Sequence, residues 1–362
     1  MRKLIFVLCL VVCGFSSNID EYILASEYYK NNPKEKISSN DFIKIVDNNA
    51  IPIEKNKNNP IKIYMIYPGK QVSDYWRRSK KSFEARLNEL GIKYELIDFF
   101  TKPSVEINKQ INGLVSALSH NSNYLIFTLD AKKHFKFISA ILNEKNPKLI
   151  LQNITTPLKN LNLKQPFLYV GFDHIIGAEM LAKQYIKEIG INGKYAVLYG
   201  SQGYVSQMRG DKFITYLNKN TNLKLVDRYY TDFNKEKAKL ATYDLLENHK
   251  NLKFIYACST DIALGVVEVL KEKGLLDKIK VNGWGGGSAE LNAIRDKELD
   301  FTVMRMNDDN GVAMAEAIKL DLQNNSNKVP LIYSGDFKLV HKNMDYKEIE
   351  KLKDKAFRYS NK

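Results

Sequence analysis

From Ile61 onward the sequence alternates short apolar runs with segments of helical length, and this alternation narrows the fold more than any other feature. IKIYMIYP (61–68) has the near-continuous hydrophobicity of a strand covered on both faces. A helix is expected over 74–90, then a strand at YELIDFF (94–100), a helix over 104–118 and a strand at YLIFTL (124–129). A helix over 131–142 and strands at KLILQNI (148–154) and FLYVGFD (167–173) close the first half. The second half repeats the scheme. Strands are expected at 195–200, 223–231, 254–259, 279–284 and 301–306, with helices at 174–189, 205–217, 234–248, 261–273 and 309–321 between them. LIYSGDFKLV (331–340) reads as one late strand and 346–356 as a terminal helix. Strands joined by helices of this length imply right-handed crossovers and parallel sheets. The expected fold is therefore α/β, with two lobes around a cleft, each a mostly parallel sheet flanked by helices.

Chain length sets the division: 362 residues suffice for two lobes of ordinary size. Residues 59–172 plus 307–330 are assigned to an N-terminal lobe, and 173–306 plus 331–362 to a C-terminal lobe. Residues 18–58, polar and rich in Asn and Lys, are read as an extension packed on the surface or partly disordered. Residues 1–17 read as a signal peptide. Arg2 and Lys3 precede an apolar core, Leu4–Val12, that is too short to span a bilayer. Export to the periplasm follows. Cys13 raises a lipid-anchor alternative, disfavoured because Val12 is not a small residue. Cys9 and Cys13 fall in this segment, so Cys258 stands alone downstream and no disulfide is expected.

The net charge of +14 is carried mostly by scattered lysines, with no basic run interleaved with aromatics, so nucleic acid is not an expected partner. Catalytic motifs are equally absent. GWGGGSAEL is glycine-rich but is neither a phosphate loop nor a nucleophile elbow, and no histidine pairing has zinc spacing. Neither an enzyme nor a metal site is expected.

In open α/β sheets, ligands bind beyond the carboxyl ends of the strands. Reading those ends singles out Gln71, Ser73 and Trp76 after the first strand, and Asn153 after KLILQ. Thr260 and Asp261 follow FIYACS, Trp284 ends IKVNGW, and Arg305 lies inside FTVMRM. Such hydroxyl, amide and indole groups suit a small polyhydroxylated ligand. Ser73, Thr260 and Asp261 equally suit helix N-caps, and Trp76 could belong to a helix's apolar stripe. An arginine in an apolar strand needs a partner. Asp261, Asp308 or Asp309 could supply it for Arg305, and so could an anionic ligand. Arg209, early in its helix (VSQMRGDKF), is a second candidate for the same anion.

These segments, with YPGKQVSDYW, LILQNITTP, FIYACSTDIALG, NGWGGGSAEL, VMRMNDD and AFRYS, resemble the sugar-type (type I) periplasmic binding proteins. Within that class the likeness is to the LuxP-type autoinducer-2 receptors, and it runs from about Ile61 to the C-terminus. The resemblance implies binding of autoinducer-2 as a furanosyl borate diester. Arg209 and Arg305 would neutralise the borate, while Gln71, Ser73, Trp76, Asn153, Thr260, Asp261 and Trp284 would contact the ring and its substituents. It also implies a membrane hybrid sensor histidine kinase of the LuxQ type as partner, and no cofactor beyond the boron of the ligand. The alternative within the class is a ribose- or galactose-type sugar-binding protein of an ABC transporter.

Overall fold

The computed structural model describes residues 21–53, 60–129, 134–159 and 164–361. The expected signal peptide and its two cysteines, Cys9 and Cys13, lie outside the described residues.

Two helices come first, α1 (Ala25–Asn31) and α2 (Pro33–Asp47). The first βα series follows: β1 (Ile61–Tyr67), α3 (Tyr75–Glu89), β2 (Tyr94–Phe100), α4 (Ile107–Ser119), β3 (Tyr124–Phe127), α5 (His134–Ile141), β4 (Lys148–Gln152) and β5 (Leu168–Gly171). The chain then crosses into α6 (His174–Ile189), β6 (Asn192–Tyr199) and α7 (Tyr204–Ser206). A π-helical turn, Gln207–Asp211, joins α7 to α8 (Lys212–Asn220). Then come β7 (Asn222–Tyr230), α9 (Lys235–Asn248), β8 (Leu252–Ala257), α10 (Thr260–Glu272), β9 (Lys280–Gly285), α11 (Ser288–Arg295) and β10 (Phe301–Arg305). Helix α12 (Asp308–Leu322) returns to the first lobe, followed by β11 (Ile332–Ser334), β12 (Phe337–His341) and α13 (Tyr346–Ala356).

Two six-stranded sheets result, in the orders β11-β5-β4-β3-β1-β2 and β12-β10-β9-β8-β6-β7. Every strand pairing is parallel except that of β12 with β10. This is the two-lobe α/β architecture expected from the alternation. Central strands are apolar on both faces because helices cover both: Ile63, Met65, Tyr67 and Ile150 face one helical layer, while Tyr64, Ile66, Leu125 and Leu151 face the other.

The lobes are joined where β5 leads to α6, β10 to α12 and β11 to β12, and the crossings are bonded to one another. Gly335 N donates to Gly171 O at 2.8 Å, Met306 N to Asp336 O at 3.0 Å, and Asp173 N to Ser334 Oγ at 3.2 Å. Helix α3 is fixed to α12 by a buried ion pair, with Arg86 Nη2 2.6 Å from Glu316 Oε1.

Two expectations need correcting. Residues 331–340 form two strands, and β11 pairs with β5 of the first sheet although 331–362 was assigned wholly to the C-terminal lobe. The break falls at Gly335, whose added Cβ would lie 2.6 Å from the Phe172 ring, so the chain can pass there only without a side chain. The N-terminal extension, where described, belongs to the first lobe. Phe42 and Val46 of α2 are fully buried in its core, and Ser39 Oγ donates to Ile332 O at 3.1 Å.

Truncating a buried phenylalanine costs about 3–5 kcal/mol. Phe42→Ala should therefore lower stability by about that amount in urea unfolding, whereas Ile37→Ala, at a position 63% exposed, should change it by less than about 0.5 kcal/mol.

Candidate functional site

The carboxyl ends of both sheets open onto one pocket of about 530 Å3, part of it continuous with solvent. The first lobe lines it with Pro68, Gln71, Ser73, Tyr75, Trp76, Pro103, Thr128 and Asn153. The second supplies Val205, Arg209, Phe233, Ser259, Thr260, Trp284 and Arg305.

Arg209 and Arg305 dominate its electrostatics. Each is only 4% exposed, and neither forms a salt bridge among the described residues. Arg209 comes from the π-helical turn, donates from Nη1 to Cys258 O at 2.9 Å, and lies with Cζ 3.9 Å from the Trp284 ring centre. Arg305 ends β10 and stands with Cζ 3.9 Å from the Tyr75 ring centre. The Nε of each has no hydrogen-bond partner. Burial, then the repulsion of Arg305, pushes Arg209 down to about 9, and burial lowers Arg305 as well. Aromatic faces offset part of this cost. An anion between the two would offset much more.

The carboxylates proposed as plain partners for Arg305 are engaged elsewhere. Asp308 accepts from Tyr359 N and Ser360 N, and Asp309 pairs with Arg358 at 2.8 Å. Asp261 accepts Val72 N at 2.9 Å and Ser73 N at 3.1 Å, clasping the first lobe from the second. Asp261 is not among the residues lining this pocket, and each of its carboxylate oxygens accepts one backbone amide of the first lobe.

The other candidates converge. Gln71, Ser73, Trp76, Asn153, Thr260 and Trp284 all line the pocket with the arginines. Helix capping does not account for the hydroxyls. Ser259 is the N-cap of α10 yet makes no side-chain cap bond, and its buried Oγ lacks a partner, as does Asn153 Oδ1. Trp76 serves both expected roles, packing 4.7 Å from the Tyr67 ring while lining the pocket.

Trp284 is held by the glycine loop. Glu290 of α11 accepts Trp284 N at 2.9 Å, Gly286 N at 2.8 Å and Thr302 Oγ1 at 2.6 Å. Gly285 has φ +132°, and an added Cβ would lie 2.4 Å from Arg305 Nη2, so glycine is what lets the guanidinium cross the loop. Asn153, with φ +66°, is steadied through its carbonyl, which accepts His174 Nε2 at 3.1 Å.

Sequence reasoning missed Tyr75 and Phe233. Tyr75 precedes Trp76 at the strand lip, and its hydroxyl accepts Asn310 Nδ2 at 2.8 Å and Gln152 Nε2 at 3.2 Å. Its adjacency to Trp76 was the available signal. Phe233 lies in a short loop with φ +55°, where no periodicity marks it.

Comparison with known proteins agrees with this geometry. Residues 63–326 match the model of a periplasmic binding protein domain, and the chain belongs to that family. A D-allose-binding periplasmic protein of Escherichia coli K12 is 24% identical over 272 residues, covering 74% of this chain and 86% of the relative. A ribose import binding protein of Bacillus subtilis 168 is 29% identical over 135 residues, 37% of this chain and 43% of the relative. A solute-binding protein of an ABC transporter from Agrobacterium vitis, solved with D-fucose, has the same fold. Its TM-score is 0.71 at 20% identity, over 80% of this chain and 98% of that one. The XylFII–LytSN complex is similar too, with a TM-score of 0.68 at 20% identity over 79% of this chain and 99% of that one. The D-allose, ribose and D-fucose relatives are named as binding proteins, not as enzymes.

Burial, then Arg209 and Arg305, holds His174 well below its ordinary value, so the folded protein keeps it neutral. The unfolded chain takes up this proton as pH falls through about 6.5, so folding stability is full above that pH and declines below it. Unfolding temperature should fall between pH 7.5 and 5.5, and His174→Gln, which keeps a donor for Asn153 O, should flatten the slope.

Proposed function

We propose that the protein is a periplasmic receptor that closes on one small, polyhydroxylated, ring-shaped ligand bearing a negative charge. The observation that carries this reading is the pair of buried arginines facing one pocket with no carboxylate partner among the described residues. A neutral ligand would leave two desolvated cations uncompensated. Autoinducer-2 as its furanosyl borate diester combines a sugar-like ring, hydroxyls and a borate anion, and is the ligand we propose. Arg209 and Arg305 take the borate, and Gln71, Ser73, Asn153 and Thr260 take ring substituents. Trp76 and Trp284 cover apolar ring surface. The proposed reader of the closed form is a membrane hybrid sensor histidine kinase of the LuxQ type, reached after export by residues 1–17.

A second reading is favoured by the comparisons, which on their own support it better: uptake of a neutral sugar for an ABC transporter. Its support is the naming of relatives for D-allose and ribose binding. Thermal unfolding of the ligand-stripped protein separates the two. The arms are 4,5-dihydroxy-2,3-pentanedione with and without borate, D-allose, and ribose. A ligand at about a hundred times its Kd should add about 2.7 kcal/mol of stability. Borate-dependent stabilisation, abolished by Arg305→Met with the unfolding transition otherwise retained, is the expected result. Stabilisation by D-allose or ribose alone would replace the receptor reading with the transporter one.

A further inference from the structure

Tyr22 lies ahead of α1, far from the pocket in sequence, yet it meets the second lobe. Its backbone is anchored to the first lobe by an antiparallel bridge to Leu158 and by Ile23 N donating to Pro157 O at 2.7 Å. Its ring, 5% exposed, stands 4.8 Å from the ring of Tyr204. Tyr204 is the first residue of α7, and the helix it begins runs through the π-helical turn that carries Arg209. Tyr204 and Met208 are buried in a cluster whose remaining members, Tyr22 among them, come from the first lobe. Opening the lobes must therefore withdraw Tyr204 and Met208 from an apolar socket that Tyr22 helps to close.

We infer that Tyr22 is a positioning residue for ligand binding. It holds Tyr204 in the first lobe's core, which favours the closed form and sets the helix from which Arg209 reaches the pocket. The segment ahead of α1 is then part of the binding device, although it touches no ligand. The inference rests on the protein acting as a closing receptor, not on which ligand it takes. An aromatic pair of this kind changes an equilibrium by roughly threefold to tenfold.

The test compares wild type, Tyr22→Ala and Tyr22→Phe in the full chain. Dissociation is followed by stopped flow with 4,5-dihydroxy-2,3-pentanedione plus borate, and with D-allose as a second probe. Tyr22→Ala should release whichever probe binds the wild type roughly threefold to tenfold faster, and Tyr22→Phe, which keeps the ring, should restore the wild-type rate. Spin labels at Asn108→Cys and Glu236→Cys, both exposed and one on each lobe, should report a longer mean distance for Tyr22→Ala under half-saturating probe. A lower unfolding temperature with unchanged dissociation and distance would mark Tyr22 as merely structural and overturn the inference. Failure of both probes to bind the wild type would instead overturn the ligand assignments, and the label distances of the ligand-free variants would still test Tyr22.

Discussion

Two guanidinium groups buried at the mouth of opposed sheets set the terms for this protein. Like charges in a low-dielectric pocket repel, and burial penalises each of them further. The folded chain meets that cost with aromatic faces: Trp284 beneath Arg209 and Tyr75 beneath Arg305. It does not supply the obvious remedy from Asp261, Asp308 or Asp309, which are bound to backbone amides or to another arginine. On the proposed reading, an anion held between the two guanidinium groups offsets that cost.

Much of the surrounding structure serves to hold those charges in place. The Glu290 carboxylate ties the glycine loop to α11 and β10, which fixes Trp284 beside Arg209 and leaves room for Arg305 to pass over Gly285. On the other side, the ion pair of Arg86 with Glu316 anchors α3, the helix that presents Tyr75 and Trp76. Asp261 and the Ser288–Asp74 contact, at 2.9 Å, close the lobes from above. The three crossings are bonded edge to edge, which suits them to act as one hinge. Ligand shifts such a hinge only by its differential affinity for the closed form.

Most of the strands were legible because their apolar runs are buried on both faces, a pattern that needs no tertiary knowledge to see. The β2, α6 and α13 spans agree to the residue with their expected bounds. The site was legible through a topological rule, that ligands sit beyond strand carboxyl ends, and this placed Gln71, Asn153, Thr260, Trp284 and Arg305 together before any coordinates. The rule has no means to foresee that a carboxylate at a strand end, Asp261, also latches the opposite lobe. Nor does it see a short loop residue such as Phe233. The strand at 331–340 was read as one piece because both halves are apolar enough, and only their pairing with strands of different sheets divides them around Gly335.

By itself, then, the sequence determined the α/β class, the strand and helix succession and the strand ends that meet at the pocket. These follow from local periodicity and chain direction. Only the tertiary structure decided that α2 belongs to the first lobe's core, that a π-helical turn aims Arg209, and that Asp261 spends its charge on the opposite lobe. Each of those depends on contacts between residues far apart in the chain, where partner, distance and burial are properties of the packed molecule and leave no local mark.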